Sequence, residues 1–355
     1  MVKLGTLIKE VTIKTTVNNQ YEVLTSSQNG IVSQEEYFNK QVASQNNVGY
    51  KIIKKGQFTY RSMSDTGKFY INRLTNKDIG IVSPAYPVFE IVSNKIIPEY
   101  MELFFKTNLF QNQISNKSAG STRLALRFSK LESVMIPVPD VSIQRNIVNN
   151  IKTIHSGLTC EQKHYSYYDE LIKSRFNEMF LSEKARADLP IKKWNDVVVI
   201  YNGKDYKANI SDKENGYPVY GSGGFMGVYA NRYLCDGALT IIGRKGTINK
   251  PFFVDAKIWN IDTAFGIKTK KELIDPIYFF YRSKFYNYHE LNKQTTKPSL
   301  RKSDLQKLDI EIPPMNLQKD FVLFVNQIDK LKFNVQKRIE YYQELLNKKM
   351  DEYFN

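Results

Sequence analysis

Two stretches of the chain place apolar side chains at seven-residue intervals. Within residues 142–183 the set Ile151, Leu158, Tyr165, Ile172 and Met179 interleaves with Ile147, Ile154, Glu161, Tyr168 and Arg175. Within 316–355 the set Val325, Lys332, Ile339, Leu346 and Tyr353 interleaves with Phe321, Ile328, Val335, Tyr342 and Lys349. Two interleaved sevens make an a/d stripe, which predicts a long helix with one apolar face. Each helix is expected to start just after a proline (Pro139; Pro313-Pro314) with a capping-type Ser142 or Asn316. At a rise of 1.5 Å per residue, ~40 residues span roughly 60 Å. Neither stretch contains an internal proline, and Gly157 is the weak point of the first. Glu161, Arg175, Lys332 and Lys349 interrupt the apolar heptads. Helices this long pair with each other, and in one chain the simplest pairing is antiparallel. The candidate subunit-interface residues on the two helices are Ile147, Ile151, Ile154, Tyr168, Ile172, Phe321, Ile328, Ile339, Tyr342 and Leu346.

The intervening blocks lack this period and read as mixed α/β (α+β). In the second block Val197–Tyr201, Leu239–Ile242 and Phe252–Val254 read as short strands and Pro276–Phe285 as a helix. In the first, Gly80–Ile91 reads as strands and Pro98–Gln113 as one helix. The starts Pro98-Glu99-Tyr100 and Pro276-Ile277-Tyr278 match, so the blocks are expected to share a fold. A gapless alignment of 128–181 on 302–355 gives 15 identities in 54 positions, among them Gln144/Gln318, Tyr167/Tyr341 and Phe180/Phe354. Unrelated segments would share roughly three, so the chain is an internal duplication with a period of 174 residues. The expected organisation is 1–141, a globular domain; 142–183, a long helix; 184–315, a second globular domain; and 316–355, a second long helix. Antiparallel helices forming a coiled coil would separate the two domains as a pseudo-two-fold repeat, with the blocks at opposite ends.

Charge follows this division. Of the net +15, residues 1–140 contribute +6 and 184–315 contribute +8, while 141–183 is neutral and 316–355 is +1. Two basic blocks suggest a polyanionic partner, since lysine and arginine on one face release counterions from phosphates. The two cysteines form no CxxC pair, which fits a reducing cytosol and excludes a cysteine-built zinc site. Three histidines make a histidine metal centre improbable. The opening Met1–Gly5 lacks the apolar stretch of a signal peptide, and no run approaches the ~20 residues of a membrane helix. A cytoplasmic protein is the expectation.

No catalytic constellation emerges. Ile312-Pro313-Pro314-Met315 lacks both the polar acceptor and the stacking ring of an amino-methyltransferase loop. Pro139-Asp140 with Glu161-Gln162-Lys163 nominally fits a metal-dependent nuclease, but ~20 helical residues would put the carboxylates about 30 Å apart. No P-loop or GxGxxG opens a helix. What remains are glycine-flanked loops that bring backbone close to phosphates: Tyr220-Gly221-Ser222-Gly223-Gly224-Phe225-Met226-Gly227 and Gly243-Arg244-Lys245-Gly246-Thr247. Leu291–Leu300 adds amide, hydroxyl and ammonium groups, and Lys117–Arg123 is its counterpart at the 174 offset.

On these residues, with Trp259-Asn260-Ile261-Asp262-Thr263-Ala264-Phe265 and Gln294–Leu300, the second block resembles a target recognition domain of type I restriction-modification specificity subunits. The first block, with Gly80–Phe89, resembles a different allele of that domain. Ile136–Pro139 to Arg145 and Ile310–Pro314 to Lys319 resemble the entries to the family's two conserved helices. The resemblance covers essentially the whole chain. It implies a non-catalytic DNA-reading subunit that recognises a bipartite, asymmetric site in double-stranded DNA. It also implies two modification subunits that methylate adenine with S-adenosylmethionine, and restriction subunits that use ATP and Mg²⁺. This chain itself would hold no cofactor. The candidate DNA contacts are Arg61, Ser83, Tyr86, Thr122 and Arg123 in the first block. In the second they are Ser222, Gly223, Arg244, Lys245, Thr247, Thr295, Thr296, Lys297 and Ser299. The alternative is a protein–protein scaffold with an incidental basic surface; a fragment of a fused restriction–methylation enzyme is opposed by the missing methyltransferase motifs.

Overall fold

The structure is a computed structural model that describes residues 1–38, 46–115, 124–187, 189–292 and 298–354. The chain divides into unit 1, Met1–Glu161 with Arg338–Asn355, and unit 2, Gln162–Lys337. In chain order unit 1 holds β1 (Val2–Lys3), β2 (Ile8–Glu10), β3 (Leu24–Ser27), β4 (Gly30–Ser33), α1 (Gln34–Phe38), β5 (Lys51–Lys54), β6 (Phe58–Thr59), β7 (Met63–Ser64), β8 (Asn72–Arg73), β9 (Ile79–Val82) and β10 (Val88–Ile91). There follow α2 (Pro98–Phe104), α3 (Asn108–Ile114), β11 (Leu124–Ala125), α4 (Phe128–Glu132), β12 (Met135–Ile136) and α5 (Val141–Phe176), whose last turns belong to unit 2. Unit 2 continues with α6 (Glu183–Arg186), β13 (Ile191–Lys193), α7 (Trp194–Val197), β14 (Val198–Asn202), β15 (Ile210–Ser211), β16 (Tyr217–Gly221), β17 (Gly224–Ala230) and β18 (Ala238–Gly243). It ends with β19 (Phe252–Asp255), β20 (Trp259–Asn260), β21 (Ala264–Thr269), α8 (Pro276–Ser283), α9 (Lys302–Leu305), β22 (Asp309–Glu311) and α10 (Met315–Phe354), whose last turns belong to unit 1.

The two units repeat one topology. The sheet β2-β10-β6-β8 of unit 1 is matched by β14-β21-β18-β19 of unit 2, antiparallel throughout. Beside it lies a hairpin, β3–β4 in unit 1 and β16–β17 in unit 2. A parallel pairing joins each hairpin to the strand before the sheet's second strand: Val23, just ahead of β3, bridges Ile81 of β9, and Val219 of β16 pairs with Trp259 of β20. Each unit also pairs its first strand with the strand before its long helix, β1 with β12 and β13 with β22. Patterning explains the positions. The apolar run of β18 is buried from Leu239 to Gly243 as an inner strand, whereas edge strand β14 alternates buried and exposed.

Aromatic rings fill both cores. Unit 1 packs Phe58 on Phe89 at 5.2 Å, with Phe105 and Phe110 edge-on at 5.1 Å. Phe354, near the end of α10, stacks on Tyr100 at 4.9 Å. In unit 2 the duplicate residue Phe180 meets Tyr278 at 4.8 Å. Tyr100 donates to the Pro137 carbonyl at 3.1 Å, and its counterpart Tyr278 donates to the Glu311 carbonyl at 3.0 Å. Each core is thus completed by the end of a long helix, with a fully buried Phe contributing about 1.5–3 kcal/mol.

In each unit α5 and α10 lie side by side and antiparallel. In unit 1, Asn150 meets Tyr353, and Arg338 donates to Glu161 through Nε (2.8 Å) and Nη2 (3.0 Å). In unit 2, Lys332 meets Asp169 at 2.7 Å and Phe176 packs edge-on to Phe321 at 5.1 Å. Glu161 and Lys332, which interrupt the apolar heptads, are therefore ion-paired to the facing helix. Arg175 is exposed, and Phe176 takes its place in the apolar row. Gly157 is no weak point: a Cβ there would stand 2.7 Å from the Tyr342 ring, so glycine admits the tyrosine.

Two expected elements differ. Pro98–Gln113 is two helices, because Thr107 Oγ1 accepts the Phe110 N–H at 3.1 Å and starts a new one. α5 closes at Phe176 in a wide turn, Asn177–Leu181, which carries Phe180 into the core.

Unit 2 also holds a buried ion pair. Glu311 is 3% exposed and accepts from Arg282 Nε at 2.7 Å and from Arg186. Burial pushes its carboxyl up, but the Arg282 hydrogen bond and charge, a backbone hydrogen bond and the charge of Arg186 outweigh this and hold it below the usual value.

Candidate nucleic-acid interface

In unit 2 the loops between strands gather at one end of the sheet. β16 and β17 are joined by Ser222-Gly223, with Gly221 paired to Gly224, whose φ of +116° suits glycine. After β18 the chain doubles back: a Cβ on Gly243 would lie 2.0 Å from the Thr247 carbonyl oxygen and 3.0 Å from Ser222 Cβ. The hairpin tip therefore rests on the Arg244–Thr247 loop. Arg244 and Lys245 both donate backbone N–H to the Thr263 carbonyl, at 2.7 and 3.2 Å. Gly246 donates to Pro298 at 3.1 Å, Leu300 donates to Arg244 at 2.8 Å, and Lys245 bridges Ser299. Ser222, Gly223, Arg244, Lys245, Thr247 and Ser299 thus form one cluster. Thr295, Thr296 and Lys297 lie outside the described residues.

The side chains differ in readiness. Arg244 is half-buried, with its guanidinium 5.8 Å from the Phe265 ring centroid, which fixes its stem. Lys245 and Thr247 are exposed, and Lys245 Nζ lies 3.6 Å from Asp262, a loose pair that a phosphate can replace. Trp259 and Asn260, prominent in the sequence, are buttresses. Trp259 donates to the Lys204 carbonyl at 2.8 Å, and buried Asn260 donates to the Ala264 carbonyl at 3.0 Å.

In unit 1 the register identifies the same loops. Leu126 donates to Ser62 at 2.8 Å as Leu300 donates to Arg244, so Ser62-Met63-Ser64-Asp65 is the counterpart of Arg244–Thr247, and Arg61 precedes it. Arg61 lines a cleft of about 310 Å³ with Ser26, Ser27, Gln28, Asp65 and Lys68. Ser83 and Tyr86 instead build the turn between β9 and β10. The Tyr86 N–H donates to the Ser83 carbonyl at 2.9 Å, and the Tyr86 hydroxyl lies 3.2 Å from Thr25 Oγ1. Tyr86 packs against the cluster of Leu24, Ile31, Ile53, Leu74, Val82 and Val88, and its contact with Thr25 ties that turn to the hairpin. Thr122 and Arg123 lie outside the described residues. Gln28 and Asn29, at the tip of β3–β4, were not among the sequence candidates although they occupy the place of Ser222-Gly223. The Asn29-Gly30 pair just before Ile31-Val32 is a turn signal that marks them.

The candidate helix residues sit inside their own units. Ile147, Ile151, Ile172, Phe321, Ile328 and Ile339 are buried, and Ile154, Tyr168, Tyr342 and Leu346 are half-buried. Among the described residues no group of His, Cys, Asp and Glu could hold a metal ion, and no helix is long and apolar enough to cross a membrane.

Among known proteins, a family model described as type I restriction modification DNA specificity domain matches residues 3–165 and again 188–341. The fold is similar to a solved structure described as revealing complex assembly and conformational transition of the type I R-M system. That likeness has a TM-score of 0.65 at 17% identity and covers 99% of this chain and 96% of the other. It is also similar to the type I restriction-modification S subunit from M. genitalium, with a TM-score of 0.59 at 13% identity, covering 100% and 95%. No curated protein matches the sequence.

Proposed function

The chain belongs to the type I restriction modification DNA specificity family, and from that premise we propose that each unit reads one half of a bipartite, asymmetric site in double-stranded DNA. Membership makes the chain the DNA sequence-specificity subunit of a type I restriction-modification system. One observation carries the finer reading. Both units present the same hairpin tip and the same following loop, but with different side chains: Gln28-Asn29 above Ser62–Asp65 in one, Ser222-Gly223 above Arg244–Thr247 in the other. Equal folds with unequal contact residues suit two unlike half-sites.

In this reading residues 1–141 and 184–315 do the reading, and the helices in 142–183 and 316–355 join them and receive the other subunits. The chain performs no chemistry. Two modification subunits bind S-adenosylmethionine and methylate adenine in each half-site, extruding the base at a cost their pocket offsets. Restriction subunits bring ATP and Mg²⁺. The specificity chain supplies affinity, through lysine and arginine on phosphate, and register, through side chains on base edges.

The test is reconstitution with the modification subunits, followed by mapping of methylated adenines. A single gapped motif with two different halves is expected. Methylation without sequence preference, or no DNA binding at any salt concentration, would overturn the reading.

A further inference from the structure

We propose that Gln28 and Asn29 read adenine edges in the major groove of the half-site taken by unit 1, an inference that rests on the DNA-specificity reading above. Both residues are exposed, and among the described residues neither side chain makes a hydrogen bond. Their backbone, by contrast, is braced. Ser27 Oγ accepts the Asn29 N–H at 3.1 Å and donates to the Gly30 carbonyl at 3.2 Å. Asn72 Nδ2 donates to Ser26 Oγ and to the Ser27 carbonyl, each at 2.8 Å, and Ser26 Oγ donates to the Tyr70 carbonyl at 3.0 Å. Gly30, with φ of +102°, closes the turn where a side chain would be strained. Two free carboxamides thus stand on a tip that loses little freedom on binding.

The chemistry of the tip selects its ligand. A carboxamide offers one donor and one acceptor side by side, the complement of adenine N7 and N6–H₂. A two-stranded ribbon fits the major groove, where that pattern is distinct. Arg61 and Lys68 line the cleft beside Gln28 and supply cations for the flanking phosphates. Unit 2 carries Ser222-Gly223 at the same place and has no carboxamide to offer, so the contact belongs to one half-site only.

The experiment uses the full chain with its modification subunits and compares methylation maps. Gln28→Ala and Asn29→Ala should each relax the motif at an adenine of the unit 1 half, lowering discrimination roughly 5- to 150-fold, and leave the other half intact. Gln28→Glu, an acceptor only, should move the preference at its position from adenine toward cytosine, whose N4–H₂ donates. The proposal is overturned if variants that melt like the wild type keep the original motif with unchanged discrimination. It is equally overturned if they weaken binding to all sequences alike, which marks a phosphate contact, or if the relaxed position is not adenine. A wild-type complex without sequence preference would instead sink the DNA-specificity reading itself.

Discussion

Gln318 repeats the bonding of Gln144. Gln144 Oε1 accepts the Ile97 N–H at 3.0 Å, and its Nε2 donates to the Lys95 and Pro139 carbonyls, both at 2.7 Å. Gln318 Oε1 accepts the Asp275 N–H at 2.7 Å, and its Nε2 donates to Leu273 at 3.3 Å and Pro313 at 2.7 Å. Both side chains are fully buried, and each ties the start of a long helix to the start of α2 or α8. The duplication has kept a three-bond bracket, while the hairpin tips and the loops beside them have diverged.

Removing either bracket should therefore cost its own unit. Gln144→Ala and Gln318→Ala each strand a half-buried N–H and two carbonyls, and about 1–3 kcal/mol of stability should be lost in each case. Thermal or denaturant unfolding of the two variants checks this. Unchanged midpoints would show that water satisfies these groups.

Unit 2 should respond to acid through Glu311. Its carboxyl is held below the ordinary glutamate value of about 4.3, so its contribution is complete above that value and is lost as the pH falls through the lowered folded one. Arg282→Met leaves a buried carboxylate whose remaining charge partner is Arg186, and should cost about 3–5 kcal/mol near neutral pH. Arg282→Met with Glu311→Leu should recover much of the loss, since the equivalent places in unit 1 hold Phe104 and Pro137. Unfolding of single and double variants between pH 3 and 7 decides. A double variant as unstable as the single one would contradict this account.

Arg244 and Lys245 should separate the two kinds of DNA contact. Lys245→Ala should weaken binding to every sequence and reduce the slope of affinity against salt by about one. Arg244→Ala, which removes a forked donor set on a fixed stem, should cost about 1–3 kcal/mol and relax one base of the unit 2 half-site. Binding titrations over a salt series, with methylation mapping, measure both. Indifference of both variants would remove the loop from the interface.

The long helices were legible in the sequence because a seven-residue period over several turns survives a few charged interruptions. Their partners were not legible: pairing Glu161 with Arg338 depends on an antiparallel register that one helix does not encode. The break before Thr107 was hidden because Phe104-Phe105 continues the apolar pattern, and one hydroxyl decides where the next helix begins. In the candidate interface, Arg244, Lys245 and Ser222 came from their own glycine-flanked strings. Gln28-Asn29 escaped because the loops differ in length. Gly30 and Gly224 stand 194 residues apart, against the 174 of the helices, so a gapless alignment never sets them together.

The division of labour between the units is tested most directly by exchange. Residues 1–140 are replaced with the equivalent block of a related specificity subunit, and methylated adenines are mapped with the same modification subunits. If each unit reads its own half-site, one half of the motif changes to the donor's and the other half stays as it was. A map in which both halves change, or neither does, would contradict independent reading by two duplicated units.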